Sequence, residues 1–233
     1  MGLFVFFIHG GNMEKHQIIL NHHVYEYDLH FKKIKSIYIR VIDGHIVVNA
    51  PILTPIETIE NLLVQYQDKL IKKIQQFDPY IVYENQGKVL IFNQWYTIKL
   101  LDIGQYKCAI HNDQLYVYHH SLIKTIDLYL KEILLSYIEE RMIYYLSYSF
   151  DLAMPYIEIK HYKGRWGSCF YKENKVTFNL SLVHLEKDLI DYVIVHELTH
   201  FLQANHSKAF YNEIEKRMPD YKERQKRLKE KHT

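Results

Sequence analysis

The sequence predicts an α+β chain: a β-rich N-terminal portion to about Tyr118, then a helical portion that also holds a small sheet. Three observations carry this. Two β-rich runs flank Asp43-Gly44, the strongest short hairpin signal there is. The stretch from Ser121 to Tyr148 contains neither Gly nor Pro and repeats apolar residues at helical spacing. A later stretch, Leu189 to Phe201, is apolar on nearly every side yet carries His196, Glu197 and His200.

A length of 233 residues allows one large domain or two small ones, and apolar and charged fractions of 48% and 24% exclude disorder and low-complexity classes. The formal charge of +2 names no partner. Cys108 and Cys169 lie too far apart for a disulfide framework or a metal knuckle, and a cytoplasmic, reducing compartment fits them. No apolar run is long enough to cross a bilayer, so no membrane role is expected. The apolar start, Met1 to Ile8, lacks the basic flank and cleavage site of a signal peptide. Residues 1–12 are read as a non-native or disordered extension, with Met13 as the true start, 13–118 as the β-rich portion and 119–233 as a second, more helical domain.

The elements follow in order. Ser36–Ile42 and His45–Asn49 form the hairpin around Asp43-Gly44. Thr54-Pro55-Ile56-Glu57 reads as an N-cap, a proline at the first helical position and a capping-box glutamate, opening one helix that ends near Phe77. Strands are expected at 88–92, 96–101, 107–111 and 114–118. A long, largely buried helix then runs over 121–148, with Leu122, Ile126, Tyr129, Ile133, Tyr137, Met142 and Leu146 as its core face. Strands at 156–161 and 176–182 bracket Lys163-Gly164-Arg165-Trp166-Gly167-Ser168-Cys169. A helix from about Glu186 to Gln203, a short one capped by Ser207, and a charged terminal helix opened by Asp220-x-x-Glu223 complete the chain.

The chemistry concentrates in Val195-His196-Glu197-Leu198-Thr199-His200. Residues i and i+4 of a helix share a face, so His196 and His200 can aim nitrogens at one zinc ion, with Glu197 placed to deprotonate a metal-activated water rather than to bind the metal. With 15 His and 16 Glu in the chain, such a pentapeptide arises by chance roughly 6% of the time, and the alternative is a pair of core histidines satisfied by backbone carbonyls. His206, six residues after His200, lowers the chance expectation to roughly 0.4% and supplies the third donor a catalytic zinc wants.

The motifs Lys163 to Cys169, Asp191 to His200, Asn205-His206-Ser207 with Phe210, and Pro219-Asp220-Tyr221 resemble, in this order, the YgjP-like metallopeptidase family. The resemblance extends upstream through the hairpin to about Val24. It implies a zincin-like catalytic domain related to the SprT-like proteases, a single Zn²⁺ held by three histidines, and a peptide or protein substrate. The chain departs from the family in Asn179-Leu180-Ser181-Leu182, where Asn-Trp-Arg-Leu is common, and in Phe210-Tyr211, where Phe-Trp is usual. The histidine spacing equals that of metzincins, but Gln203 replaces their turn glycine, and that reading is set aside.

Arg165, Trp166 and Asn179 are the expected substrate-binding residues, with Arg165 and Trp166 serving equally well as an ion-pair donor and a core aromatic. The strand at 176–182 is the one expected to pair with an extended peptide. Cys169 reads as a small buried thiol, and His22-His23 and His119-His120 as solvated pairs. The basic C-terminal run, Lys222 to Lys231, reads as a solvated face; it lacks the interleaved aromatics that would stack on single-stranded nucleic acid. Two alternatives to a peptidase stand beside it: a metal-dependent hydrolase of a nucleoside triphosphate phosphoanhydride, and an interaction module with structural zinc.

Overall fold

The computed structural model describes residues 13–21, 23–42, 45–77 and 80–231. The chain is α+β, as the sequence predicts, and divides into two compact units, Met1–Lys88 with Thr97–Ile126 and Val89–Tyr96 with Asp127–Thr233. The N-terminal extension and the Asp43-Gly44 turn lie outside the described residues.

In the first unit, β1 (Met13–Leu20), β2 (His23–Lys32), β3 (Tyr38–Ile42) and β4 (His45–Pro51) form a sheet in the order β1-β2-β4-β3. The expected hairpin is β3–β4, with Ile42 opposite His45. The β1–β2 pair was not expected, although Tyr25, Tyr27, Leu29 and Phe31 alternate as a half-buried strand should. Tyr27, Leu29, Ile46 and Val48 are buried from this sheet, in one cluster with Ile59, Leu63, Leu70 and Ile74 of the following helices. Those helices are two, not one. α1 (Ile56–Gln65) and α2 (Gln67–Phe77) are separated at Tyr66, whose φ of −103° and ψ of 12° leave the helical region. Thr54 does not cap α1, because its hydroxyl donates to the Pro51 carbonyl at 2.8 Å and Pro55 takes the N-cap position.

The chain continues through β5 (Lys88–Ile91), β6 (Gln94–Leu100), β7 (Cys108–His111) and β8 (Gln114–Val117), each within a residue or two of expectation. Thr97–Leu100 of β6 runs parallel to β8, which pairs antiparallel with β7. His119 corrects the expectation of a solvated pair: it is buried, stacks on Tyr106 at 3.8 Å and accepts from the Ser121 N–H. His120 meets Asp102 at 3.2 Å.

α3 (Leu122–Tyr148) is the long helix. Its buried line is Leu122, Ile126, Leu130, Leu134, Ile138 and Met142, one residue off the expected Tyr129, Ile133 and Tyr137, and Ile143, Tyr144 and Tyr148 are exposed. Apolar residues on adjacent stripes, as in Leu134-Leu135 and Ile133-Leu134, let the sequence fit either face.

In the second unit, β9 (Tyr156–Lys160), β10 (Gly167–Phe170) and β11 (Lys175–Asn179) form a sheet in the order β10-β11-β9. β11 is antiparallel to β10 and parallel to β9. The strand expected to receive a peptide is therefore the central one, with both edges taken. It also stops at Asn179 rather than Leu182, because the Asn179 carboxamide accepts from the Ser181 N–H and turns the chain into a 3-10 segment, Leu180–His184. His184 within it donates from Nδ1 to the Leu90 carbonyl at 2.6 Å, and Val183 accepts from the Phe92 N–H at 2.7 Å.

α4 (Lys187–Thr199), α5 (Lys208–Arg217) and α6 (Tyr221–Glu230) follow. α4 ends at Thr199 rather than near Gln203, and i to i+3 hydrogen bonds tighten the chain through Leu202. Every residue from Leu189 to Val195 is buried, Asp191 among them. Asp191 accepts from Arg141 Nε at 2.9 Å and Nη2 at 2.8 Å, from the Tyr137 hydroxyl at 2.8 Å and from the Tyr145 hydroxyl at 3.2 Å. α6 is not the free, solvated helix expected. Arg224 Nη1 donates to the Asp188 carbonyl at 2.9 Å, Arg227 grips the Asp188 carboxylate, and Lys231 meets Glu186 at 3.3 Å. Asp220 does not form a capping box; its carboxylate takes Arg224 instead.

Removing the acceptor at Asp191 strands a guanidinium and two phenols in a mostly apolar setting. Asp191→Ala is expected to cost about 3 kcal/mol, measured by urea denaturation, whereas Glu215→Ala, at an exposed pair with Lys222, leaves the midpoint unchanged.

Candidate metal centre

α4 sets His196 and His200 one turn apart on a single face, and the tightened turn through Leu202 carries that face on to Gln203. The chain then reverses through Ala204 and Asn205. Ser207 holds the reversal: it is the N-cap of α5, its side chain accepting from the Phe210 N–H, as the sequence predicts. His206 is thereby returned to the helix, with Nε2 2.9 Å from His196 Nε2. One nitrogen from each of His196, His200 and His206 lies within 4.8 Å of the others. Phe210, fully buried, packs against all three imidazoles with ring centroids 4.7 to 5.0 Å away.

The partners of these rings test whether they fit a metal. His200 donates from Nδ1 to the Gln203 carbonyl at 3.2 Å, which leaves Nε2 as the lone-pair nitrogen. His196 Nδ1 is buried and has no hydrogen-bond partner among the described residues. Burial first, and His200 and His206 second, push the His196 imidazole down to about 3, so it is neutral at physiological pH. Burial holds His200 below its ordinary range as well. Of the three, His200 alone is bonded to a backbone carbonyl among the described residues. Three convergent imidazoles fit a borderline divalent cation. Glu213, the first carboxylate of α5 and so the nearest acidic alternative to His206 in the sequence, is committed elsewhere, to Lys216 and to Arg217 at 2.7 Å.

Glu197 is buried beside this cluster, and burial pushes its carboxyl up to about 8 against the opposing pull of Arg165. The residue facing it is Gly167, at the start of β10. A Cβ there would lie 2.7 Å from Glu197 Oε1 and 2.9 Å from Cδ and Cγ, so glycine is required by close approach. Cys169 is half-buried rather than the buried thiol expected, and burial, with Glu197 second, pushes its thiol up to about 12.

A cleft of about 330 Å³ opens beside His196 and Glu197. Arg165 and Trp166 line it, as do Tyr192 and Val193 from the preceding turn of α4. Asn179 does not. It is buried, and its carboxamide is used by backbone: Nδ2 donates to the Tyr162 and Arg165 carbonyls at 3.0 and 2.9 Å, and Oδ1 accepts from the Ser181 and Tyr162 N–H groups. It shapes the loop that presents Arg165. His161 is bonded to Asp127 at 2.9 Å, away from the cluster.

Sequence reasoning missed Gly167 and the third wall of the cleft, which is Gln225, Leu228 and Lys229 of α6. The available signal was Leu228, an apolar residue seven positions after Tyr221 in an otherwise charged run; both are buried.

The family described as YgjP-like, metallopeptidase domain, matches residues 35–231. Two solved structures are similar to part of the chain. The metallopeptidase zymogen abylysin of Pyrococcus abyssi is 23% identical over 40% of this chain and 93% of its own, with a TM-score of 0.38. The metallopeptidase zymogen jannalysin of Methanocaldococcus jannaschii is 26% identical over 41% of this chain and 97% of its own, also with a TM-score of 0.38. No curated protein matches the chain. Among the described residues, no helix is long and apolar enough to cross a membrane.

The close approach at Gly167 makes a measurable prediction. Gly167→Ala should displace the Glu197 carboxyl and lower stability by about 1–3 kcal/mol. In a Glu197→Ala background the same glycine substitution should cost less than about 0.5 kcal/mol, because the clashing group is gone. Urea denaturation of the four proteins of this cycle measures both.

Proposed function

The chain belongs to the YgjP-like metallopeptidase family, and from that premise we propose that it is a zinc peptidase whose metal is held by His196, His200 and His206, with Glu197 as general base. The observation that carries the reading is the convergence of three imidazole nitrogens within 4.8 Å next to a buried carboxyl that is not one of the donors. Zinc in such a site supplies Lewis acidity, which polarises a carbonyl oxygen and makes water more acidic.

The remaining roles belong to the chain. Glu197 takes a proton from the attacking water and delivers it to the leaving amine nitrogen as the C–N bond breaks. The Gln203 carbonyl orients His200, and Phe210 keeps the three rings packed. β10 is one of the two edge strands of its sheet, the one against Glu197, and an extended peptide laid along its outer side would run past that residue. Asn179 acts on substrate only through the loop it holds.

Glu197→Gln should retain zinc and lose hydrolysis of denatured protein and peptides by about 10²- to 10⁴-fold. A nucleoside triphosphate cleaved in a Glu197-dependent way, with peptides untouched, would instead establish a phosphoanhydride hydrolase. Zinc bound with no Glu197-dependent activity would leave a structural metal.

The donor set has its own test. His206→Ala should weaken zinc affinity by about 10²-fold or more, since loss of an outer partner alone costs about 10- to 100-fold. Glu213→Ala, which removes only an ion pair with Lys216 and Arg217, should change it less than about tenfold. Titration against a competing chelator ranks the two, and the reverse order would transfer the role to Glu213.

A further inference from the structure

The cleft beside Glu197 has walls of one character and a rim of another. Trp166, Tyr192, Val193 and Leu228 give it apolar sides. Arg165, from the loop before β10, and Lys229, from α6, are exposed cations that both line it. Neither is within 4.0 Å of a carboxylate among the described residues, whereas three of the five basic residues of α6 are so paired, Lys222 with Glu215, Arg224 with Asp220 and Arg227 with Asp188, as is Lys231 just after it with Glu186. The one acid lining the cleft, Glu197, is buried and assigned to proton transfer.

We infer that this cleft is a specificity pocket for a substrate residue that presents a carboxylate on an apolar stem, held between Arg165 and Lys229. The inference rests on the peptidase reading, because it takes the occupant to be a residue next to the scissile bond. The lining residues Tyr192 and Val193 lie one helical turn before His196 and Glu197, so the pocket adjoins the reacting carbonyl rather than lying at a distance along the chain. Apolar walls favour the methylenes of the occupant, and two cations with no carboxylate within 4.0 Å, Arg165 lying over the Tyr162 ring at 5.5 Å, favour its charge over a neutral amide of the same shape. A glutamate side chain and a C-terminal carboxylate share this chemistry.

Binding separates the pocket from the catalysis. The full-length Glu197→Gln protein, loaded with zinc, is titrated calorimetrically with peptides of one sequence that carry Glu, Gln or Lys at successive positions, each with a free or amidated C-terminus. The expected result is binding about five- to tenfold tighter for Glu than for Gln at one position, or for the free acid over the amide, with the preference shrinking as salt is raised to roughly 0.5 M. The Glu series identifies a side-chain occupant and the terminal series an end-group one. Lys229→Glu should abolish the preference and admit the Lys peptide, and Arg165→Gln should reduce it.

Equal affinity for acid and amide, or a preference untouched by both variants, overturns the pocket whatever the wild type hydrolyses. A nucleoside triphosphate that binds more tightly than every peptide and is displaced by none would also overturn it. A retained preference in a protein that cleaves no peptide keeps the pocket and removes the peptidase reading instead.

Discussion

Helix α4 is enclosed from Leu189 to Val195, and that enclosure governs the unit around it. An enclosed helix can carry polar side chains only where each finds a partner, because an unmet buried donor or acceptor costs about 1–3 kcal/mol. Asp191 is met by Arg141, Tyr137 and Tyr145 from α3, and Thr199 donates back to the Val195 carbonyl. His196 Nδ1 is left without a partner, and Glu197 is left with its carboxyl pushed up by burial. Both of these adjacent residues line the cleft. That is the pattern expected where burial serves chemistry rather than stability.

The surroundings of those two residues are fixed by neighbours that do no chemistry. Gly167 lets the first residue of β10 approach the Glu197 carboxyl within the reach of a Cβ, and no larger residue could stand there without moving it. Asn179, from the end of β11, ties the Tyr162 and Arg165 carbonyls together and so sets the loop that leads into β10. Ser207 and Phe210 do the same on the other side, one turning His206 back and the other packing under it. A sheet edge, a carboxamide and a helix cap define the site to the precision that three converging rings require.

What was legible in the sequence was local. The β3–β4 hairpin, α3 and the two histidines of α4 each follow from residues a few positions apart. His206 follows from the length of one turn and one N-cap. What was not legible depends on strands and helices distant in sequence. Nothing in Lys175–Asn179 tells whether the strand is central or at an edge, since that is set by where β9 and β10 add. The break at Tyr66 and the hydroxyl of Thr54 escaped because both helical propensity and a capping pattern were satisfied by a single continuous helix, while the Pro51 carbonyl offered Thr54 a competing acceptor. The β1–β2 pair was readable by period but was obscured by tyrosines, which serve both buried and wet positions.

The terminal helix shows how one basic run can serve two faces. Arg224, Arg227 and Lys231 recur at i, i+3 and i+7 and bind Asp188 and Glu186 at the start of α4. Gln225, Leu228 and Lys229 recur at i, i+3 and i+4, about 100° further round the helix, and line the cleft. Acidic residues are favoured at a helix N-terminus, so Asp188 suits the first turn of α4 and at the same time gives α6 its anchor. Because the cations of the first face are matched by acids, the positive charge bordering the cleft comes from Lys229 and from Arg165. The formal charge of +2 averages over this arrangement. Only the helical spacing of the run separates the basic residues that hold α6 in place from the one that borders the cleft.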